Sequence, residues 1–168
     1  MIEMLGVLAI VGVLSAGGIA GYSMAMESYR STALLEKVVS IAQQARVLYD
    51  GYYSETATDT TNGGMGKRLI EAGFLSDLNN PFGGALKTEP ANDDDKAMFT
   101  ITSDANIPVN ACIRLVTSNW GGEGTILEIS ANDDDVVLDS FPAEADDAIE
   151  ACVIKDTNTG VKLQWLAH

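Results

Sequence analysis

Residues 4 to 26 of the chain carry no charge, and one carboxylate, Glu3, stands directly ahead of these 23 positions. As an α-helix such a run is about 34 Å long at ~1.5 Å per residue, enough to cross a hydrocarbon core of ~30 Å. An acid at the tip of that helix is costly, since one placed at the bilayer centre costs roughly 2.5–3.5 kcal/mol on the insertion scale. A carboxylate kept there points to a partner for it. Beyond Glu27 the apolar positions narrow to a stripe. Leu34, Val38, Ile41, Ala45, Leu48 and Tyr52 recur at steps of four and three, while Arg30, Glu36, Lys37, Gln43, Gln44 and Arg46 lie mostly elsewhere. No proline precedes Pro81. The pattern predicts one continuous helix to about Tyr53, apolar all round over residues 1–26 and amphipathic over 27–53. Residues 54–168 are left for a globular head.

The pattern then breaks up. Ser54 to Gly66 is rich in Thr, Asp and Gly and reads as an exposed loop. Lys67 to Leu75 predicts a short helix ended by Gly73 at the C′ position. Asn80-Pro81-Phe82-Gly83-Gly84 is a turn signal. Four β-prone runs follow, Ala85–Thr88, Ala97–Thr102, Thr125–Ser130 and Val136–Leu138. Two identical pentapeptides, Ala91–Asp95 and Ala131–Asp135, sit between them as hairpin tips. From Ile107 to Gly122 two readings stay open: Pro108 and Gly121 favour a helix that turns Cys112, Leu115 and Val116 inward, whereas the β-branched residues favour a strand. Pro142 to Glu150 reads as a short helix capped near Asp139 or Ser140. Ala151–Lys155 and Val161–Leu166 read as a last hairpin.

Small residues bear on what the apolar half does. Gly17 and Gly21 form one small-xxx-small pair, and Gly12, Ala16 and Ala20 form a second row. Such rows let helix backbones approach closely in lipid-like surroundings. Glycine also weakens a helix by about 0.8–1.0 kcal/mol relative to alanine, so Gly17, Gly18 and Gly21 mark a point of local melting. Ordinary anchor composition accounts for the same glycines, and both packing and melting remain open.

Charge sharpens the picture. The formal net charge is −14, and sixteen of the 24 acids lie after residue 88 against four of the ten bases. A field of that sign repels nucleic acid and anionic lipid, so direct nucleic-acid binding by the lone subunit is not expected. The triads Asp93-Asp94-Asp95 and Asp133-Asp134-Asp135 are weak calcium candidates, because clustered carboxylates suit a hard cation. They lack the spacing of a calcium loop, and solvated acidic turns are the alternative. His168 is the single histidine, so a zinc triad or a Ser-His-Asp set cannot form. There is no phosphate loop either, and the sequence gives no ground for an enzyme or a cofactor. Cys112 and Cys152 are read either as two unrelated buried thiols or, in an exported chain, as a disulfide.

Three readings of the N-terminus compete. A secretory signal peptide needs a basic start, yet no Lys or Arg precedes Arg30. A plain single-pass anchor explains the length but leaves Glu3 unexplained. The run Ile2-Glu3-Met4-Leu5-Gly6-Val7-Leu8-Ala9-Ile10-Val11-Gly12-Val13-Leu14 closely resembles the start of type IV pilins, where a few apolar residues, a Glu and about twenty further apolar residues open the mature chain. That family normally has its Glu fifth, whereas here it is third. Four positions apart, an amine and a carboxylate share one helix face; two apart, they do not. Two further residues ahead of Met1 are therefore expected. The short helix with its terminal glycine, followed by the Asn-Pro-aromatic-Gly-Gly turn, resembles the type IVb subgroup.

The resemblance implies an α+β fold: a long N-terminal helical spine on a twisted antiparallel sheet, with short helices, one of them within 107–122, and a Cys112–Cys152 disulfide tying down the C-terminal region. It implies a homo-oligomeric helical filament in which the apolar helices bundle and Glu3 neutralises a neighbour's terminal amine. Gly17 to Gly21 is where helices of this family often unwind in the filament. The expected partners are the inner membrane before assembly, a prepilin peptidase and the pilus assembly machinery. Adhesion, aggregation, surface motility and DNA uptake are the roles such filaments serve. Two rivals stand beside this reading, a pseudopilin of a type II secretion system and a membrane-anchored periplasmic binding module.

Overall fold

The computed structural model describes residues 2–50, 53, 64–91, 97–103, 107–120, 126–131, 136–152 and 161–167. Helix α1 (Ile2–Tyr49) is one unbroken rod, about 72 Å long at ~1.5 Å per residue. It stops four residues short of the predicted Tyr53 because Asp50 takes φ = 50°, a left-handed conformation that Asp tolerates better than most residues and that ends a helix. Leu34, Val38, Ile41 and Ala45 are buried as the stripe predicts, with Ala42 added. Leu48 is 36% exposed instead. The 3.6-residue repeat turns the buried line toward Tyr49 at that height, leaving Leu48 beside it.

Helix α2 (Gly64–Glu71) starts three residues before Lys67 and so takes in the end of the predicted loop. Gly66 makes this possible. A Cβ there would collide with Leu78, and its N–H donates to Thr88 Oγ1 at 2.7 Å. Gly73 closes the helix as predicted, with φ = 78° and Phe74 N–H donating to Leu69 O at 2.9 Å. The turn signal also holds: Asn80 Oδ1 accepts from Phe82 N–H at 2.9 Å, and buried Asn80 Nδ2 donates to Ser103 Oγ at 2.7 Å.

Strands β1 (Leu86–Pro90), β2 (Phe99–Ser103), β3 (Ile126–Ala131), β4 (Val136–Leu138) and β5 (Leu163–Ala167) form one antiparallel sheet in the order β1-β2-β5-β3-β4. Inward residues alternate along β2 (Phe99, Ile101, Ser103) and β5 (Leu163, Trp165, Ala167). In β3 the inward pair Ile126 and Ile129 is three apart, because the ladder shifts register between Ile126 and Glu128. The expected final hairpin is corrected here. Ala151 and Cys152 belong to a helix, and residues 153–160 lie outside the described residues. Strand β5 pairs with β2 on one side and β3 on the other, so both its edges are occupied and no hairpin partner can lie next to it.

Between the sheet strands, α3 (Val109–Val116) follows Pro108 and buries Ala111, Cys112, Leu115 and Val116, which decides the open choice at 107–122 for a helix. Helix α4 (Ala145–Cys152) begins later than Pro142 and is not capped from Asp139 or Ser140. Ala143 N–H is tied to Val116 O at 3.2 Å, which holds the chain on α3 there, and the helical bonds start only with Glu144 O. Cys112 and Cys152 join α3 to α4 as a disulfide with Cα atoms 5.8 Å apart. One apolar cluster runs from α1 through the helices to the sheet. Tyr53 stacks near Phe99 at 4.7 Å between ring centroids, and Trp120 near Trp165 at 5.7 Å.

Candidate functional site

The feature that the fold leaves unfinished is the first half of α1. Val13 (74% exposed), Leu14 (69%) and Ile19 (72%) stand on different sides of the helix, and residues 6–25 are all exposed. The helix is long and apolar enough to cross a membrane. Burial starts at the head end, where Met26, Glu27 and Ser28 become partly covered and Ser31 is buried. A surface of this extent, apolar all round, fits burial in lipid or among other helices.

Along this surface the small residues lie where the sequence places them. Gly17 and Gly21 are one helical turn apart on one face, as are Gly12, Ala16 and Ala20. A Cβ built at Gly6, Gly12, Gly17, Gly18 or Gly21 meets nothing within 4 Å, so the row is open to a partner backbone. In the single subunit α1 passes through Gly17–Gly21 without a break. Glu3 lies in the first turn of α1, at the far end of the apolar half from the head.

The second half of α1 is fastened to the head by polar contacts that flank the apolar stripe. Lys37 Nζ bonds the carboxylate of Asp77 and donates to Asn79 O at 2.9 Å. The Lys37 hydrogen bond, with the Asn79 N–H donating to the same carboxylate at 2.8 Å, holds the Asp77 carboxyl below its ordinary value. Arg114 Nη1 donates to Ser28 Oγ at 2.7 Å from the last turn of α3. Burial raises the phenols of Tyr49 and Tyr53, each against a weaker opposing cation, Arg68 for Tyr49 and Arg46 for Tyr53. These polar contacts had no signal in the sequence, since Lys37 and Asp77 are 40 residues apart and Ser28 and Arg114 are 86 apart.

Of the residues singled out for chemistry, the structure brings together Cys112 and Cys152. Asp93, Asp94, Asp95, Asp133, Asp134 and Asp135 fall outside the described residues. Among the described residues no three His, Cys, Asp or Glu side chains gather into a metal-binding group.

No family model matches the chain. Among curated proteins it is similar to the major structural subunit of bundle-forming pilus of Escherichia coli O127:H6, 28% identical over 130 residues. The match takes in 72% of this chain and 64% of that protein. The subunit of the same description from Escherichia coli O111:H- matches to the same extent. The chain therefore spans about 64% of the length of these relatives. Its fold is similar to the crystal structure of a type IV b pilin from Salmonella typhi. That likeness has a TM-score of 0.57 at 19% identity and covers 80% of this chain and 97% of that one.

Proposed function

We propose that this chain, a member of the type IV pilin family by its likeness in sequence and fold, is a structural subunit of a pilus filament. The observation that carries this reading is the bare half of α1. The head closes its own core, with Trp120, Trp165, Tyr53 and Phe99 all buried, yet residues 6–25 of the uncharged run are exposed throughout. At ~25 cal/mol per Å² of apolar area, leaving that helix in water is strongly unfavourable, and bundling it with copies of itself removes the cost.

Before assembly the same half anchors the subunit in the inner membrane, where a prepilin peptidase and the assembly machinery act on it. On entering the filament, helix exchanges lipid for neighbouring helices, and the rows at Gly12, Ala16, Gly17 and Gly21 let backbones come close. Glu3 then pairs with the terminal amine of a neighbour. Its removal favours lipid over filament, because an uncharged tip crosses the membrane more easily than a carboxylate. Glu3→Ala is the test. The variant is expected to reach the membrane at the wild-type level or above, while electron microscopy of material sheared from the cell surface finds no filaments. Filaments of normal length from Glu3→Ala would remove Glu3 from assembly. Absence of filaments from cells making the wild-type chain as their only pilin, with the assembly machinery present, would remove the pilus reading itself.

A further inference from the structure

Where α1 leaves its apolar half and meets the end of α3, a notch of about 250 Å³ opens between the two helices. Ser28, Ser31 and Thr32 line it from α1, and Arg114, Thr117 and Ser118 from α3 and the residues after it. In a chain with 24 acids and ten bases, an arginine ordinarily finds a carboxylate. Among the described residues Arg114 has none within ion-pair distance; its contact is the Ser28 hydroxyl oxygen at 2.7 Å. A guanidinium has five N–H donors, so most of its fork remains available, and Ser28, which accepts from Arg114, keeps its own O–H to donate.

The end of α3 would normally oppose an anion, because the last carbonyls of a helix carry partial negative charge. Here those carbonyls are covered. Thr117 Oγ1 donates to Ile113 O at 2.7 Å and Ser118 Oγ donates to Arg114 O at 2.5 Å. The Ser31 and Thr32 hydroxyls likewise donate to Glu27 O and Ser28 O, so the donors that face the notch are the Arg114 fork and the Ser28 O–H, a pairing that suits the oxygens of a single phosphate.

Depth selects the source of that phosphate. Ser28 is two residues past Met26, the last residue of the uncharged run, which is ~3 Å along the helix axis. Tyr22 (66% exposed) and Tyr29 (70%) stand on the same stretch of α1, as aromatic residues do at a membrane–water boundary. With α1 spanning a bilayer, the notch lies in the headgroup layer. The net charge of −14 opposes a headgroup that is anionic overall, and one guanidinium balances one phosphate.

We propose that the notch between α1 and α3 holds the phosphate of a zwitterionic phospholipid headgroup while the subunit is anchored in the membrane, with Arg114 supplying the charge. The proposal rests on the membrane-anchored stage described above, and its test separates the two. The full-length chain is reconstituted into phosphatidylethanolamine vesicles and floated on a density gradient. It is then extracted in mild detergent, and retained lipid is counted by native mass spectrometry. One lipid per chain is expected. Arg114→Gln weakens retention about tenfold or more, the effect of losing a charge-assisted hydrogen bond. Arg114→Lys, which keeps the charge without the fork, falls between. Arg30→Gln removes an exposed cation at the same height of α1 but outside the notch, and leaves retention unchanged.

Equal retention by wild type and Arg114→Gln, both floating and both with the disulfide intact, overturns the notch and leaves the anchor standing. A chain that does not float overturns the anchor and the notch together. Displacement of the lipid by millimolar inorganic phosphate makes the notch a site for a free anion, and stronger retention from phosphatidylglycerol vesicles overturns the zwitterionic choice.

Discussion

The contact between Lys37 and Asp77 offers the sharpest measurement of how the head is held to its spine. The Lys37 side chain is 22% exposed and Asp77 42% exposed, so the pair is neither a free surface contact nor a buried one. Exposed pairs contribute about 0.2–1 kcal/mol, while hydrogen bonds to charged groups in less solvated places contribute about 1.5–3 kcal/mol. Discounted for the exposure of Asp77, the coupling is about 1 kcal/mol. Lys37→Met costs somewhat more than Asp77→Asn, since Asn79 O also loses its donor at 2.9 Å. Thermal unfolding of the full-length chain in detergent, followed by the fluorescence of buried Trp120 and Trp165, reads this directly. For a head of this size, 1 kcal/mol lowers Tm by about 3–6 °C.

The double variant closes the cycle and isolates the pairwise energy. The pH dependence carries its own sign. The folded Asp77 carboxyl titrates below its ordinary value of 3.8, so the contribution is fully present above that value. It is lost as pH falls through the lower folded value. Strictly additive single variants at neutral pH, or a coupling that persists unchanged in strong acid, would refute the tether.

Other expectations follow from the same structure. Replacing Cys112 and Cys152 together by Ser removes the link between α3 and α4 and lowers stability by about 2–4 kcal/mol in the same unfolding assay, while intact-mass measurement of native protein under non-reducing alkylation finds no free thiol. Gly66→Ala gains helix propensity of about 1 kcal/mol but forces Leu78 out of its seat at about 1–3 kcal/mol, for a net loss near 1 kcal/mol; a rise in Tm contradicts the close contact. Salt, which screens charges over ~10 Å at 0.1 M, changes lateral bundling of filaments much more than their integrity, whereas detergent dissolves them. Sedimentation and microscopy across both series decide this, and filaments that fall apart in low salt yet survive detergent are held by their heads instead.

The parts of the fold that were legible from residues are those governed by local rules. The spine showed itself by an uncharged run and then a stripe, the α2 stop by Gly73, the 80–84 turn by Asn80 and its glycines, and four strands by β-prone runs between turns. What stayed hidden was set by distant partners. The start of α4 depends on Ala143 bonding to Val116 across 27 positions, and the place of β5 depends on two strands remote in sequence. The inclusion of Gly66 in α2 depends on Leu78. The candidate surface was equally legible because exposure of an apolar helix is written in its composition. The Arg114–Ser28 and Lys37–Asp77 contacts were not, since a single polar pair leaves no periodic trace.

The order of the strands has a consequence for how the chain comes into being. The last of the five described strands, β5, is the middle of the sheet, flanked by β2 and β3. Until it arrives, β1 with β2 and β3 with β4 are two separate hairpins, neither of which makes a lasting sheet alone. A chain made from its N-terminus onward therefore keeps its head unlocked until β5 is supplied. It locks in one step when the final strand slots between its neighbours. A chain cut short before Leu163 has the other four described strands but no way to zip them together, so the architecture itself screens out incomplete copies.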